Sequence, residues 1–323
     1  MTDDWREQLR QAFRHPGELL DYLGLGTEIH QDGPKSAFPM LVPRAFASRM
    51  QPGRRDDPLL RQVLPDRSET MTVPGFVSDP VGDQDSRRVR GLLHKYSGRA
   101  LLISTGACAV HCRYCFRQHY PYADDHLGRD LDPALAYIAA QPDIDEVILS
   151  GGDPLMLDTR RLAELTTRLA EIPGLRRLRI HTRLPVVLPD RIDSALCAWL
   201  NALPWPVVVV IHANHANEFD DQVDTAVDRL RATGAHVFNQ SVLLAGVNDD
   251  ERSLVELMER SFSAGVIPYY LHLLDRVAGA AHFDSVTADA LHLHERLRVR
   301  LPGYLVPRLV REEAGAPYKL PVL

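Results

Sequence analysis

The sequence predicts an α/β protein built as an open, partial (β/α)6 barrel, with a helical and irregular N-terminal extension and a C-terminal strap. Three observations carry this prediction. From about residue 100 onward, short β-branched or apolar runs alternate with longer amphipathic segments, the pattern of a parallel sheet with crossover helices. Six such units follow one another, too few for a closed eightfold barrel. Polar, chemically capable residues fall just after the strand runs, where the loops of a parallel barrel converge on one face.

Taken in order, residues 3–13 and 17–23 read as helices, and Pro34, Pro39, Pro43, Pro52, Pro58, Pro65 and Pro74 then punctuate a polar run. This makes 1–94 the extension. Strands are expected at 101–104, 146–150, 178–182, 207–213, 237–244 and 266–273. Helices are expected near 131–141, 159–171, 190–202, 217–233, 249–264 and 285–299. Asp158, Asn217 and Asp249 stand where a side-chain acceptor would satisfy an orphan helix N–H. The barrel spans 95–300. Residues 301–323, rich in Pro and Gly, read as a strap returning to the barrel mouth, and both termini are expected to cover its open parts.

Composition narrows the function. Thirty-seven basic residues against 43 acidic ones leave a net charge of -6, so no global positive field is available to hold nucleic acid. The apolar run at 207–211 is closed in by Pro206 and His212, far short of the roughly 20 residues that span a bilayer. The acidic start, Met-Thr-Asp-Asp, lacks the basic and apolar regions of a secretory signal, so a soluble, cytoplasmic protein is expected. Three of the four cysteines crowd between positions 108 and 115, which points to a metal site in a reducing compartment rather than to a disulfide scaffold.

Cys108, Cys112 and Cys115 are spaced C-x3-C-x2-C on the loop after the first expected barrel strand. Three thiolates on one short loop can grip one face of an iron–sulfur cluster, which four cysteines commonly hold. The fourth, Cys197, falls in a distant expected helix. One iron of a [4Fe–4S] cluster would then stay open to a small-molecule ligand. The alternative is a tetrahedral zinc site completed by His111 or His119.

This loop, on a partial barrel, resembles the signature of the radical S-adenosylmethionine (SAM) superfamily. The resemblance implies that SAM chelates the open iron and is cleaved by one electron to a 5′-deoxyadenosyl radical. Ser150, Gly151, Gly152 and Asp153, followed by Pro154, look like the family's glycine-rich SAM segment. Taken alone, Gly-Gly-Asp-Pro is ordinary turn chemistry.

Longer runs, Asp57 to Pro65, Cys112 to Arg117, Thr182 to Pro189 and Asn239 to Leu244, resemble lysine 2,3-aminomutases. In length and ending the chain is most like the branch that makes (R)-β-lysine for modification of bacterial elongation factor P and so works beside that factor's ligase. The resemblance implies a second cofactor, pyridoxal 5′-phosphate (PLP), carried as a Schiff base on Lys319, the lone lysine beyond position 95. It implies that Lys95, Tyr96 and Arg99 surround the PLP phosphate, with Lys95 keeping the charge of the family's arginine but losing its bidentate fork. It implies that Arg117 holds the substrate α-carboxylate and Asp275 the ε-ammonium, with a second acid near Glu312. Gln240 and the 212–218 stretch fall where the family places SAM and pocket contacts.

Some residues carry less. His292 and His294, two apart in an expected helix, read as surface residues, and His272 as either a pocket or a core histidine. The larger aminomutases carry extra C-terminal cysteines for zinc. This chain has none, so no zinc-linked tetramer is expected, and an oligomer of another kind stays open. The expected activity is thus isomerisation of L-lysine, fed electrons by a reductant that the sequence does not identify. A relative acting on another amino acid such as glutamate, and a non-catalytic metal-binding protein docking elongation factor P, are the alternatives. Asp275 argues against glutamate, because two anions in one pocket repel.

Overall fold

The apolar runs fold as one sheet whose strands pair in chain order, each crossover returning the chain beside the strand it left. The structure, a computed structural model, describes residues 4–26 and 38–323. Pro34 and the first residue of the 3–13 stretch lie outside them. The sheet begins with β1 (Arg87–Val89) and β2 (Leu92–Tyr96), which pair antiparallel with each other, as β2 does with β3. Parallel pairing then runs through β3 (Arg99–Thr105), β4 (Glu146–Gly151), β5 (Arg177–Thr182), β6 (Val207–Ile211), β7 (His236–Val242), β8 (Ile267–His272) and β9 (Arg308–Arg311). A two-residue β10 (Leu320–Pro321) closes antiparallel on β9. Among the described residues no ladder joins β10 to β1, so the barrel is open.

All six expected strands are present, and the six crossover helices are Asp132–Ala139, Thr159–Ala170, Ser194–Asn201, Asp221–Ala232, Glu251–Ser263 and Thr287–Arg300. The last of these leads into β9, a seventh parallel strand inside the segment read as a strap. Four residues, Arg-Leu-Val-Arg, directly after Pro307 are too short to show a period. The sheet also begins at Arg87, so it extends on both sides of the 95–300 span.

Four of the six crossover helices start on an aspartate cap, though not always at the expected residue. Asp158 accepts from the Arg161 N–H, as read. Asp220 and Asp250 cap the next helices, in place of Asn217 and Asp249. Asn217 sits in a separate turn, Ala216–Glu218, and Asp249 closes the preceding turn on the Gly246 N–H.

Along β7, Val237, Asn239 and Ser241 are buried towards the helix layer, while Phe238, Gln240 and Val242 line the barrel interior. β5 divides likewise, with Leu178 and Ile180 packed away and Arg179 and His181 turned inward, while Thr182 at its end is buried beside the cavity. A parallel sheet with two dry faces would be apolar on both. Polar inward positions therefore mark a cavity and not a filled core.

The N-terminal extension buries Leu19, Leu20, Phe46, Leu59 and Leu60 completely, in one apolar cluster with barrel residues such as Val186 and Val187. At roughly 1.5–3 kcal/mol for each large side chain, the extension is anchored strongly to the barrel. No described helix is long and apolar enough to cross a membrane.

Candidate active site

A single cavity of about 1020 Å³ fills the barrel mouth and interior. Cys108, Cys112 and Cys115 line it together with Lys319, Arg117, Asp275 and Gln240, residues up to 211 positions apart in the chain.

The cysteine loop is irregular, and its shape is imposed by the N-terminal extension. The His111 N–H donates to the Leu41 carbonyl and the Arg113 N–H to the Gln62 carbonyl. The Arg113 side chain, fully buried, donates to the Glu69 carboxylate at 2.7 Å and to the Phe38 carbonyl at 3.0 Å. Burial pushes the Cys108 thiol well above its ordinary range and the Cys115 thiol up to about 12, neighbouring thiols adding to the effect. Such thiols ionise when a metal takes the charge. Of the histidines offered for a zinc site, His111 bonds the Pro39 carbonyl and His119 the Ala278 carbonyl.

Gly151 and Gly152 serve this loop directly. Gly151 has φ +118°, and a Cβ there would stand 2.6 Å from the Thr105 carbonyl oxygen. A Cβ on Gly152 would stand 2.4 Å from that of Ala107. The close approach these glycines permit is thus to the protein's own backbone at the root of the cysteine loop. Asp153 accepts from Thr182 Oγ1 and from the Arg183, Leu184 and Leu155 N–H groups, so its carboxylate ties the end of β4 to the end of β5.

Arg183 lies beside the loop, its Nη1 2.6 Å from Cys112 Sγ and its Nη2 2.9 Å from the Glu218 carboxylate. Glu218 also accepts from the Asn214 N–H and from Gln62 Nε2. Of the 212–218 stretch expected at the pocket, only His212 lines the cavity; Asn214, His215 and Glu218 face inward as braces. Both charges of the Arg183–Glu218 pair are buried, so removing one strands the other. Glu218→Ala should cost about 3–5 kcal/mol of stability, read by chemical denaturation, and an unchanged midpoint would show the pair to be dispensable.

Another part of the lining carries an alternating chain of charges. Arg117 Nε donates to Asp83 Oδ2 at 2.6 Å, and Lys95 Nζ lies 2.7 Å from Asp83 Oδ1 and 2.9 Å from Glu312 Oε1. Lys319 Nζ donates to Glu312 Oε2. Burial opposes ionisation of Asp83 and Glu312, yet their cationic neighbours outweigh it and hold both carboxyls below the usual range. Asp275 differs: burial, aided by Glu312, pushes its carboxyl up to about 7 against Lys319 and Lys95. Lys95, expected beside the PLP phosphate, faces these two acids and the Val81 carbonyl. Tyr96 lies by Glu312, under the Arg99 guanidinium, which stands 4.7 Å from its ring centroid. Arg99 and Arg179 line the same cavity near Tyr269.

His181 and His272 also line it, and burial holds both imidazoles well below their ordinary pKa. His272 is thus a pocket residue. His294, expected at the surface, is half-buried, bonds the Pro307 carbonyl and reaches the cavity wall, whereas His292 is exposed. Sequence reasoning missed Asp83, Arg179 and His181. Asp83 lies in irregular chain with no period to read, but the inward polar positions of β5 could have been found by asking why an apolar strand alternates.

The buried atoms His181 Nε2, Gln240 Oε1 and His272 Nε2 have no hydrogen-bond partner among the described residues, and all three residues line the cavity. Buried polar atoms are seldom left so. Three thiols, a chain of paired cations and acids, and unspent polar atoms in one cavity fit a metal cluster with polar organic ligands.

Comparison with known proteins agrees. The profile of the Radical SAM superfamily matches residues 102–258. The chain is 47% identical to the L-lysine 2,3-aminomutase of Escherichia coli K12, over 99% of this chain and 94% of that one. It is 43% identical to that of Haemophilus influenzae, over 98% and 94%. It is 33% identical to that of Clostridium subterminale, over 99% of this chain and 78% of that one.

Proposed function

This chain belongs to the L-lysine 2,3-aminomutase family within the radical SAM superfamily, and from that membership we propose that it moves the α-amino group of free L-lysine to C3, forming (R)-β-lysine. It is an isomerase whose cofactors are a [4Fe–4S] cluster, SAM and PLP. The carrying observation is one cavity that holds the cysteine triad, Lys319 and two acids together.

When bound, the cluster and SAM supply a carbon radical able to take hydrogen from an unactivated carbon, and PLP supplies an aldehyde and a π system that ease nitrogen migration. Cys108, Cys112 and Cys115 would hold the cluster. Ser150, Gly151, Gly152, Asp153 and Gln240 would shape the SAM pocket, Gln240 through its unspent Oε1 and Asp153 by fixing the strand ends. Lys319 would carry PLP, with Glu312 orienting its amine beforehand. Arg99 and Tyr96, with Arg179 nearby, would take the phosphate, and Lys95 would tune Glu312. Arg117 would orient the substrate by its α-carboxylate and Asp275 by its ε-ammonium. The extension and strap exclude water and competing hydrogen donors from the radical.

A carboxyl pushed up to about 7 has a consequence for Asp275. Pairing with an ammonium requires its ionised form, so lysine affinity should rise as pH rises through about 7, with a proton released on binding. Affinity flat across that interval in calorimetric titrations would remove Asp275 from this role. The sign for stability is opposite: the folded carboxyl holds its proton more tightly, so this contribution is present below the unfolded value and is lost as pH rises through about 7.

The deciding experiment gives anaerobic, reconstituted protein dithionite, SAM, PLP and L-lysine, and compares glutamate and ornithine. β-Lysine should form from lysine; turnover of glutamate in preference would defeat the substrate assignment, and no turnover of any would defeat the activity. The same reading puts the enzyme in the cytoplasm, supplied by a one-electron reductant and delivering its product for modification of elongation factor P.

A further inference from the structure

Asp83 is the most enclosed carboxylate of the charged wall, about 1% exposed, and it sits in a turn of the extension just before β1. The turn is itself pinned, because the N–H groups of Asp83 and Gln84 both donate to the Asp79 carboxylate. Asp83 Oδ2 accepts from Arg117 Nε at 2.6 Å and Oδ1 faces Lys95 Nζ at 2.7 Å. With Nε taken and Nη1 donating to Ser150 Oγ at 3.2 Å, the plane of the Arg117 guanidinium is set, and the residue lines the cavity.

A buried anion beside a site for a carboxylate is unfavourable unless it does something else. Here Asp83 is flanked by Arg117 and Lys95, and Glu312 by Lys95 and Lys319, so the charge of Asp83 is matched within the chain and is spent on geometry. Without Asp83, Arg117 would be a long side chain free to turn towards Glu312, whose charge it already senses.

We propose that Asp83 is a positioning residue that locks Arg117 to present its Nη edge to the substrate α-carboxylate, and so helps to select a free α-amino acid. This rests on the reading of Arg117 as the carboxylate anchor. The lock acts on orientation before any chemistry occurs, so it is visible in binding alone.

Calorimetric titration of cofactor-loaded, anaerobic enzyme without reductant separates the possibilities, using L-lysine and L-lysinamide, which lacks the carboxylate. Asp83→Asn should weaken L-lysine binding by roughly tenfold to a hundredfold, the worth of a charged hydrogen bond, and leave L-lysinamide binding unchanged. Asp83→Glu should restore part of the preference, and it is read by the same ratio if the asparagine variant does not retain its cofactors. Equal losses for both ligands, or no loss for L-lysine, overturn the proposal. Arg117→Gln tests the premise separately. If that variant keeps the wild-type ratio, the anchor reading fails; if it collapses the ratio and neither Asp83 variant does, the positioning role alone fails.

Discussion

Lys319→Ala should abolish β-lysine formation, by roughly a thousandfold or more, while iron content and thermal stability stay near wild type. Lys319 is half-buried on the cavity wall, and its Nζ is held by Glu312. A short connection of residues 312–319 joins β9 to β10, which pair with each other, and Lys319 stands at its end next to Leu320, so the amine projects from a segment tethered at both ends. Removing it deletes the covalent handle for PLP and leaves Glu312 still paired with Lys95. Chromatographic quantification of β-lysine and the visible absorbance of bound PLP measure the two effects independently. Full turnover in this variant would end the assignment of Lys319 as the PLP lysine.

Changing Cys108, Cys112 or Cys115 to alanine should reduce cluster iron to background and eliminate the reaction, since only three thiols of the loop face the cavity. Cys197→Ala supplies the control. It lies on the helix Ser194–Asn201, away from the cavity, with the Arg229 carbonyl 4.0 Å from its sulfur. Iron analysis and the visible spectrum after anaerobic reconstitution should therefore separate the three loop cysteines from the fourth. Iron retained by any loop variant at the wild-type level would show that the cluster is held otherwise.

The two outcomes also distinguish the halves of the cavity. Cysteine variants remove the initiator and leave the charged wall, whereas the lysine variant removes the amine carrier and leaves the cysteine loop. Arg183 stands by the first and Asp83 by the second, each in a buried ion pair made across the fold.

Much of this architecture is legible along the chain. Runs such as Val207–Ile211 and the amphipathic stretch Thr159–Ala170 carry their own period, because side-chain direction repeats locally in strands and helices. The cysteine spacing is equally local. Legibility falls where an element is short or its partner remote: Arg-Leu-Val-Arg becomes a strand only because β8 offers an unpaired edge, and Asn217 loses its capping role because a tighter turn intervenes.

The order of strands and helices and the triad of thiols were thus written in neighbouring residues. The assembled chain alone decided that Lys95 would meet Glu312, 217 positions away, that Asp83 would brace Arg117, and that Asp153 would spend its carboxylate on backbone N–H groups. The reason is physical: periodicity depends on bond geometry within a few residues, whereas the partner of a buried charge is whatever opposite group the closed fold brings within hydrogen-bond reach.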